Sequence, residues 1–282
     1  MTLLRCGSIL CFLALAVVCG APAGDSRIEC GAWPPYTCER TVIYGAYTVC
    51  IWASADADAP SYYRVVTIDR GGIRLLCQDW ATGLDPLSGT DIDGTGYPDV
   101  IIENYSGGAH CCFATCVYDL AETLEAIELS PSPAGNAPGE FVDLDGDGVY
   151  EFLTADDSFA YAYCCFAASP EVLVVLRYSA AARRFVPASY LYPDLYRDEI
   201  ERDTERARAA GSEGTDGGWD GTAKCEVLPL VLDYLYSGDT RSAWAALDAY
   251  YRGPDRESFR AEIERTISQS PYYAAPASDA SE

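Results

Sequence analysis

Four carboxylates fall within nine residues at Asp143, Asp145, Asp147 and Glu151, which are positions 1, 3, 5 and 9 of the stretch Asp-Leu-Asp-Gly-Asp-Gly-Val-Tyr-Glu. Converging side chains of this kind repel one another unless a cation sits between them. An all-oxygen set suits a hard divalent ion, and Ca2+ tolerates irregular geometry that Mg2+ does not. Gly146 and Gly148 allow the tight, partly left-handed backbone that such convergence needs. The competing reading is an acidic turn that holds no ion, because Asp-Gly dipeptides are ordinary turn formers.

The same spacing occurs earlier, in Asp91-Ile-Asp93-Gly-Thr95-Gly-Tyr-Pro-Asp99, with Thr95 in place of the third aspartate. Each copy runs on into an apolar stretch, Val100 to Ile102 in one and Phe152-Leu153 in the other, and later reaches Cys-Cys-Phe at 111–113 and 164–166. The copies are offset by 52 residues at the loops and 53 at the cysteines, as two copies of one strand, loop and strand unit would be.

At these residues the chain resembles the FG-GAP and VCBS type of repeat, the calcium-loop unit of integrin-like propellers and many secreted bacterial proteins. The resemblance covers roughly residues 85–178. It implies that side chains at positions 1, 3, 5 and 9 and the carbonyl of position 7 hold Ca2+. The first site would then be Asp91, Asp93, Thr95 and Asp99 with the Tyr97 carbonyl, and the second Asp143, Asp145, Asp147 and Glu151 with that of Val149. Thr95 departs from the pattern as a neutral ligand. With four formal charges against three, the second site is expected to bind more tightly. Two copies fall short of the four to eight blades of a complete propeller, so the implied fold is mainly β, a propeller-like or partial-propeller repeat domain, with a C-terminal α part.

The elements that position these loops follow in order. Residues 1–23 read as a secretory signal, with Arg5, an apolar core from Ile9 to Val18, and a cleavage site at Ala21-Pro-Ala23 or Val18-Cys-Gly20. A secreted or periplasmic protein is expected, and a lipoprotein anchored through Cys19 is disfavoured by the bulk of Val18. The β-rich repeat domain spans 24–190, with strands over Tyr47–Trp52, Tyr62–Ile68 and Ile73–Leu76 and a hairpin turn at Arg70-Gly-Gly. A polar helix and glycine-rich linker occupy 191–222, with Asp198 and Arg202 set to pair one turn apart. A small helical domain follows over 223–273, its stripes at Leu228, Val231, Leu232 and Leu235, at Trp244, Leu247 and Tyr251, and at Phe259, Ile263 and Ile267. The tail, 274–282, is small and polar.

Ten cysteines remain after signal removal, an even number that favours a disulfide framework in an exported chain. A soft-metal site from His110, Cys111, Cys112 and Cys116 competes, but it lacks knuckle spacing. The net charge of −24 repels phosphate backbones and anionic lipid, so neither nucleic acid nor an acidic membrane is an expected partner. Nor is any stretch after the leader long and apolar enough to span a bilayer.

The chain has one histidine, His110, beside cysteines expected to be oxidised, and no Gly-x-Ser-x-Gly elbow, which argues against a Ser-His or Cys-His nucleophile. The function expected is therefore a secreted, calcium-binding, disulfide-stabilised binding or structural module without catalysis. Its 21 tyrosines suit an extracellular protein or glycan contact. The rival is an extracytoplasmic hydrolase with structural calcium and a carboxylate-based site, which would require a deep cleft with converging acids.

Overall fold

The computed structural model describes residues 36–54, 56, 58–108, 112–129, 138–213 and 223–276. The expected leader, His110 with Cys111, the residues 214–222 of the linker and the end of the tail lie outside the described residues. Among the described residues eleven strands make the sheet: β1 (Tyr36–Tyr44), β2 (Tyr47–Ser54), β3 (Arg64–Arg70), β4 (Ile73–Leu84), β5 (Asp99–Tyr105), β6 (Phe113–Leu120), β7 (Leu124–Leu129), β8 (Glu140–Val142), β9 (Glu151–Asp156), β10 (Val172–Ser179) and β11 (Arg184–Pro187). Their spatial order is β1-β2-β3-β4-β5-β6-β7-β11-β10-β9-β8. The protein is mainly β with a C-terminal α part, and the sheet is open, with β1 and β8 at its edges.

Neighbours are antiparallel except at one junction, where β7 and β11 pair in parallel through Glu128 with Arg184 and Leu129 with Phe185. The junction divides the sheet into two runs that each contain a loop and its following strands, β5-β6-β7 and β9-β10-β11. Gly71 and Gly72 sit at φ of +58° and +80° in the two-residue turn between β3 and β4, the backbone of a type I′ hairpin. β4 itself extends to Leu84, past the expected end at Leu76.

Alternation along β5 explains why its apolar run is continuous. Val100 and Ile102 enter a core shared with β2, β3 and β6, whereas Ile101 enters a second core on the other face. A strand buried on both faces carries apolar residues at every position rather than every second one. β6 behaves in the same way, with Tyr118 in the first core and Val117 in the second.

The helices close the second core. α1 (Arg197–Glu213) follows a 3-10 turn at Pro193–Tyr196, and α2 (Ala223–Tyr236), α3 (Thr240–Tyr250) and α4 (Arg256–Gln269) follow the linker. The expected stripes are the buried ones: Leu228, Val231, Leu232, Leu235, Leu247, Phe259, Ile263 and Ile267 share one cluster with Phe141, Phe152, Val174 and Leu176 of the sheet. Asp239 caps α3 by accepting from the Ser242 N–H at 2.9 Å. In α1, Arg202 pairs with Glu199 rather than with Asp198, three residues back instead of four. A disulfide from Cys164 to Cys225 ties the segment after β9 to α2, and Cys77, Cys112 and Cys116 are also disulfide-bonded.

One polar group fastens sheet to helices. Asp156, at the end of β9 and 1% exposed, accepts from the hydroxyls of Tyr236 in α2 and Ser270 after α4, and from the Ser158 N–H at 2.8 Å. Asp156→Ala leaves two buried hydroxyls without an acceptor. It should cost about 4 kcal/mol and lower Tm by roughly 10 °C in a thermal melt; a Tm within about 2 °C of wild type would show that the network does not hold the helices down.

Candidate metal centre

Both loops fold around their carboxylates by similar bonds. In the first, Asp91 accepts from the N–H groups of Thr95 at 3.1 Å and Gly96 at 2.8 Å; in the second, Asp143 accepts from Gly146 at 2.8 Å and Gly148 at 3.2 Å. The last carboxylate folds back onto the second residue, Asp99 to the Ile92 N–H at 2.8 Å and Glu151 to the Leu144 N–H at 3.0 Å. Gly94, Gly96, Gly146 and Gly148 all have φ between +74° and +91°, where a Cβ would be strained.

Carboxylate oxygens of Asp91, Asp93 and Asp99 lie within 4.8 Å of one another, as do those of Asp143, Asp145 and Glu151. Ligands on opposite sides of a calcium ion at about 2.4 Å are separated by about that span. Several of these oxygens are buried without a donor. Asp93 Oδ2, Asp99 Oδ1 and Glu151 Oε1 receive no hydrogen bond, although Asp99 and Glu151 are fully buried. Burial, followed by the charges of Asp93, Asp119 and Asp91, pushes the Asp99 carboxyl up to about 8 despite the bond from Ile92. Burial likewise raises Asp93. Carboxylates that lack a facing base, as Asp93 and Asp99 do, fit a bound cation better than they fit an empty turn.

The strand register adds a residue to each loop that spacing alone could not reveal. Asp99 opens β5 and stands directly opposite Asp119 of β6. Asp119 is 5% exposed, accepts from the Thr95 hydroxyl at 3.4 Å on Oδ2, and has no partner on Oδ1. Burial and then Asp93 push its carboxyl up to about 6. Glu151 opens β9, and continuing the ladder one step beyond Phe152 with Leu176 sets Arg177 of β10 opposite it. The Arg177 guanidinium lies 3.6 Å from Glu151 Oε1, 3.1 Å from Asp147 and 3.4 Å from Asp145. The same structural position therefore carries an acid in the first unit and a base in the second.

The loops also touch. The Tyr150 N–H donates to the Ile92 carbonyl at 2.8 Å, and a Cβ on Gly94 would come within 2.9 Å of the Val149 side chain. Tyr178, on β10, lies against Asp93 of the first loop; burial and then that carboxylate raise its phenol.

No family model matches the chain, and no solved structure matches it. The chain is similar to y4bJ of Sinorhizobium fredii, an uncharacterised protein, at 25% identity over 183 residues, 57% of this chain and 28% of that protein. The chain thus spans well under a third of that relative's length.

Of the residues expected from spacing, the structure brings together Asp91, Asp93 and Asp99, and Asp143, Asp145 and Glu151. Thr95 turns its hydroxyl to Asp119, and Asp147 turns to Arg177 while accepting from the Val149 N–H at 2.8 Å. The Tyr97 side chain is exposed, which leaves its carbonyl as the group that can serve. The ion-free protein should register the opposite charges at the matched position. In excess chelator, Asp119→Asn relieves repulsion and should raise stability by about 1 kcal/mol, whereas Arg177→Gln removes a counter-charge and should lower it by about as much. Urea midpoints that moved in the same direction for both variants would contradict this assignment.

Proposed function

We propose that this protein is an extracytoplasmic calcium-binding, disulfide-stabilised module that binds a partner or serves a structural role, with Ca2+ at both acidic loops. The observation that carries the reading is the pair of buried, donorless carboxylate oxygens on Asp93 and Asp99, focused where three side chains of the first loop converge, with three carboxylates converging in the same way in the second. The bonded cysteines support an oxidising compartment, in line with a secreted or periplasmic location. Among the described residues no helix is long and apolar enough to cross a membrane. The matching hydrogen bonds of the two loops support descent from one repeat unit, arranged as a partial propeller of the FG-GAP or VCBS type.

Calcium in this reading is structural. Each ion would tie the start of a buried strand to its preceding loop, and the Ile92 to Tyr150 bond would pass the order of one loop to the other. The affinity order differs from the one that charge counting along the loops suggests. The first site gains Asp119 and reaches four carboxylates, while the second must displace Arg177 from Asp145, Asp147 and Glu151 before all four of its carboxylates face an ion. The first site is therefore the tighter one.

Chelation tests the reading. Calcium at about ten times the dissociation constant adds roughly 1.4 kcal/mol per site by mass action, so Tm should fall in chelator and recover with millimolar calcium. Melting curves that coincide across chelator and calcium would remove calcium from the account.

A further inference from the structure

A cavity of about 730 Å³ lies away from the acidic loops, between β9 and β10 on one side and α1 and α2 on the other. Asp203 of α1 and Asp233 of α2 line it, 5% and 6% exposed. Asp203 has a counter-charge, since Arg206 donates to it at 3.2 Å. Asp233 forms no ion pair among the described residues, and its Oδ2 lacks a hydrogen-bond partner there. The remaining charges around the cavity are unevenly matched. Arg202 is taken by Glu199 and Arg206 is shared between Asp203 and Glu226, whereas Glu140 and Glu171 form no ion pair among the described residues. Leu153, Leu173 and Leu195 supply an apolar wall.

A buried carboxyl that lacks a counter-ion keeps its proton. Burial, then the charge and hydrogen bond of the facing Asp203, push Asp233 up to about 8, with Arg202 opposing. Tyr196, near Asp233, has its hydroxyl committed to the Leu173 carbonyl at 2.7 Å and so supplies no donor to that carboxyl. We propose that this cavity binds a small organic ammonium ion, its charged head against Asp203 and Asp233 and its apolar body on Leu153, Leu173 and Leu195. A volume of this size suits a small molecule. The ligand's charge takes the place of the shared proton, which leaves to solvent.

Proton displacement sets the sign of the pH dependence. Below about 8 the ammonium competes with the proton, and above it the carboxylate is already free, so binding tightens as pH rises. The probe is n-butylammonium, which like lysine stays charged to about pH 10, titrated calorimetrically into the full chain with calcium present. The structure leads us to expect about tenfold tighter binding at pH 9 than at pH 7 and about one proton released per ligand at pH 7, read from two buffers of different ionisation enthalpy. Asp233→Asn, which preserves shape, should weaken binding at least about tenfold and abolish the pH dependence, and n-butanol should bind far more weakly than the amine. Failure of the wild type to bind the amine, binding without proton release, or an Asp233→Asn variant that binds as the wild type does would each overturn the proposal.

Discussion

Two carboxylates with no access to solvent begin the strands on which the sheet depends. Asp99 opens β5, whose next three residues are buried on both faces, and Glu151 opens β9, whose Phe152 is fully buried. Neither acid can retreat to water without unpacking the strand that follows it. Each must therefore be neutralised in place, by a proton, by a neighbouring base or by a metal ion, and the loop that precedes each strand is shaped to bring further carboxylates to the same point. The glycines, the turns that fold Asp91 and Asp143 onto the backbone, and the bond between the loops all follow from holding those oxygens in convergence.

The two units answer this requirement differently. In the second, the base comes from the protein itself, because Arg177 reaches three of the loop carboxylates from the adjacent strand. In the first, the corresponding position holds another acid, Asp119, and the charge deficit deepens. A repeat in which one copy carries its own counter-charge and the other intensifies its need would give two cation sites of graded affinity within one sheet. The Tyr150 to Ile92 bond makes them neighbours rather than independent modules.

What the sequence disclosed follows from the range of each interaction. Positions 1, 3 and 9 of each loop were legible because convergence within nine residues is a local property of spacing and glycine placement. The helical stripes of Leu228 to Leu235 and Phe259 to Ile267 were legible for the same reason, since one face of a helix repeats every three to four residues. Asp119 and Arg177 were not, because they reach the loops through strand register, 20 residues beyond Asp99 and 26 beyond Glu151. Asp203 and Asp233 lie on different helices, and 43 acidic residues offer far more pairs than any spacing rule can rank. The parallel β7 and β11 junction was hidden as well, for it joins segments that no hairpin connects.

On the proposed reading, calcium neutralises the buried acids of both loops, binding the first more tightly than the second. Calorimetric titration of calcium into chelator-treated protein tests it most directly. Two equivalents are expected, with Asp93→Ala removing the tighter phase and Asp145→Ala the weaker. Absence of any binding at millimolar calcium would contradict the metal assignment, and loss of the tighter phase in Asp145→Ala would contradict the order that Asp119 and Arg177 impose.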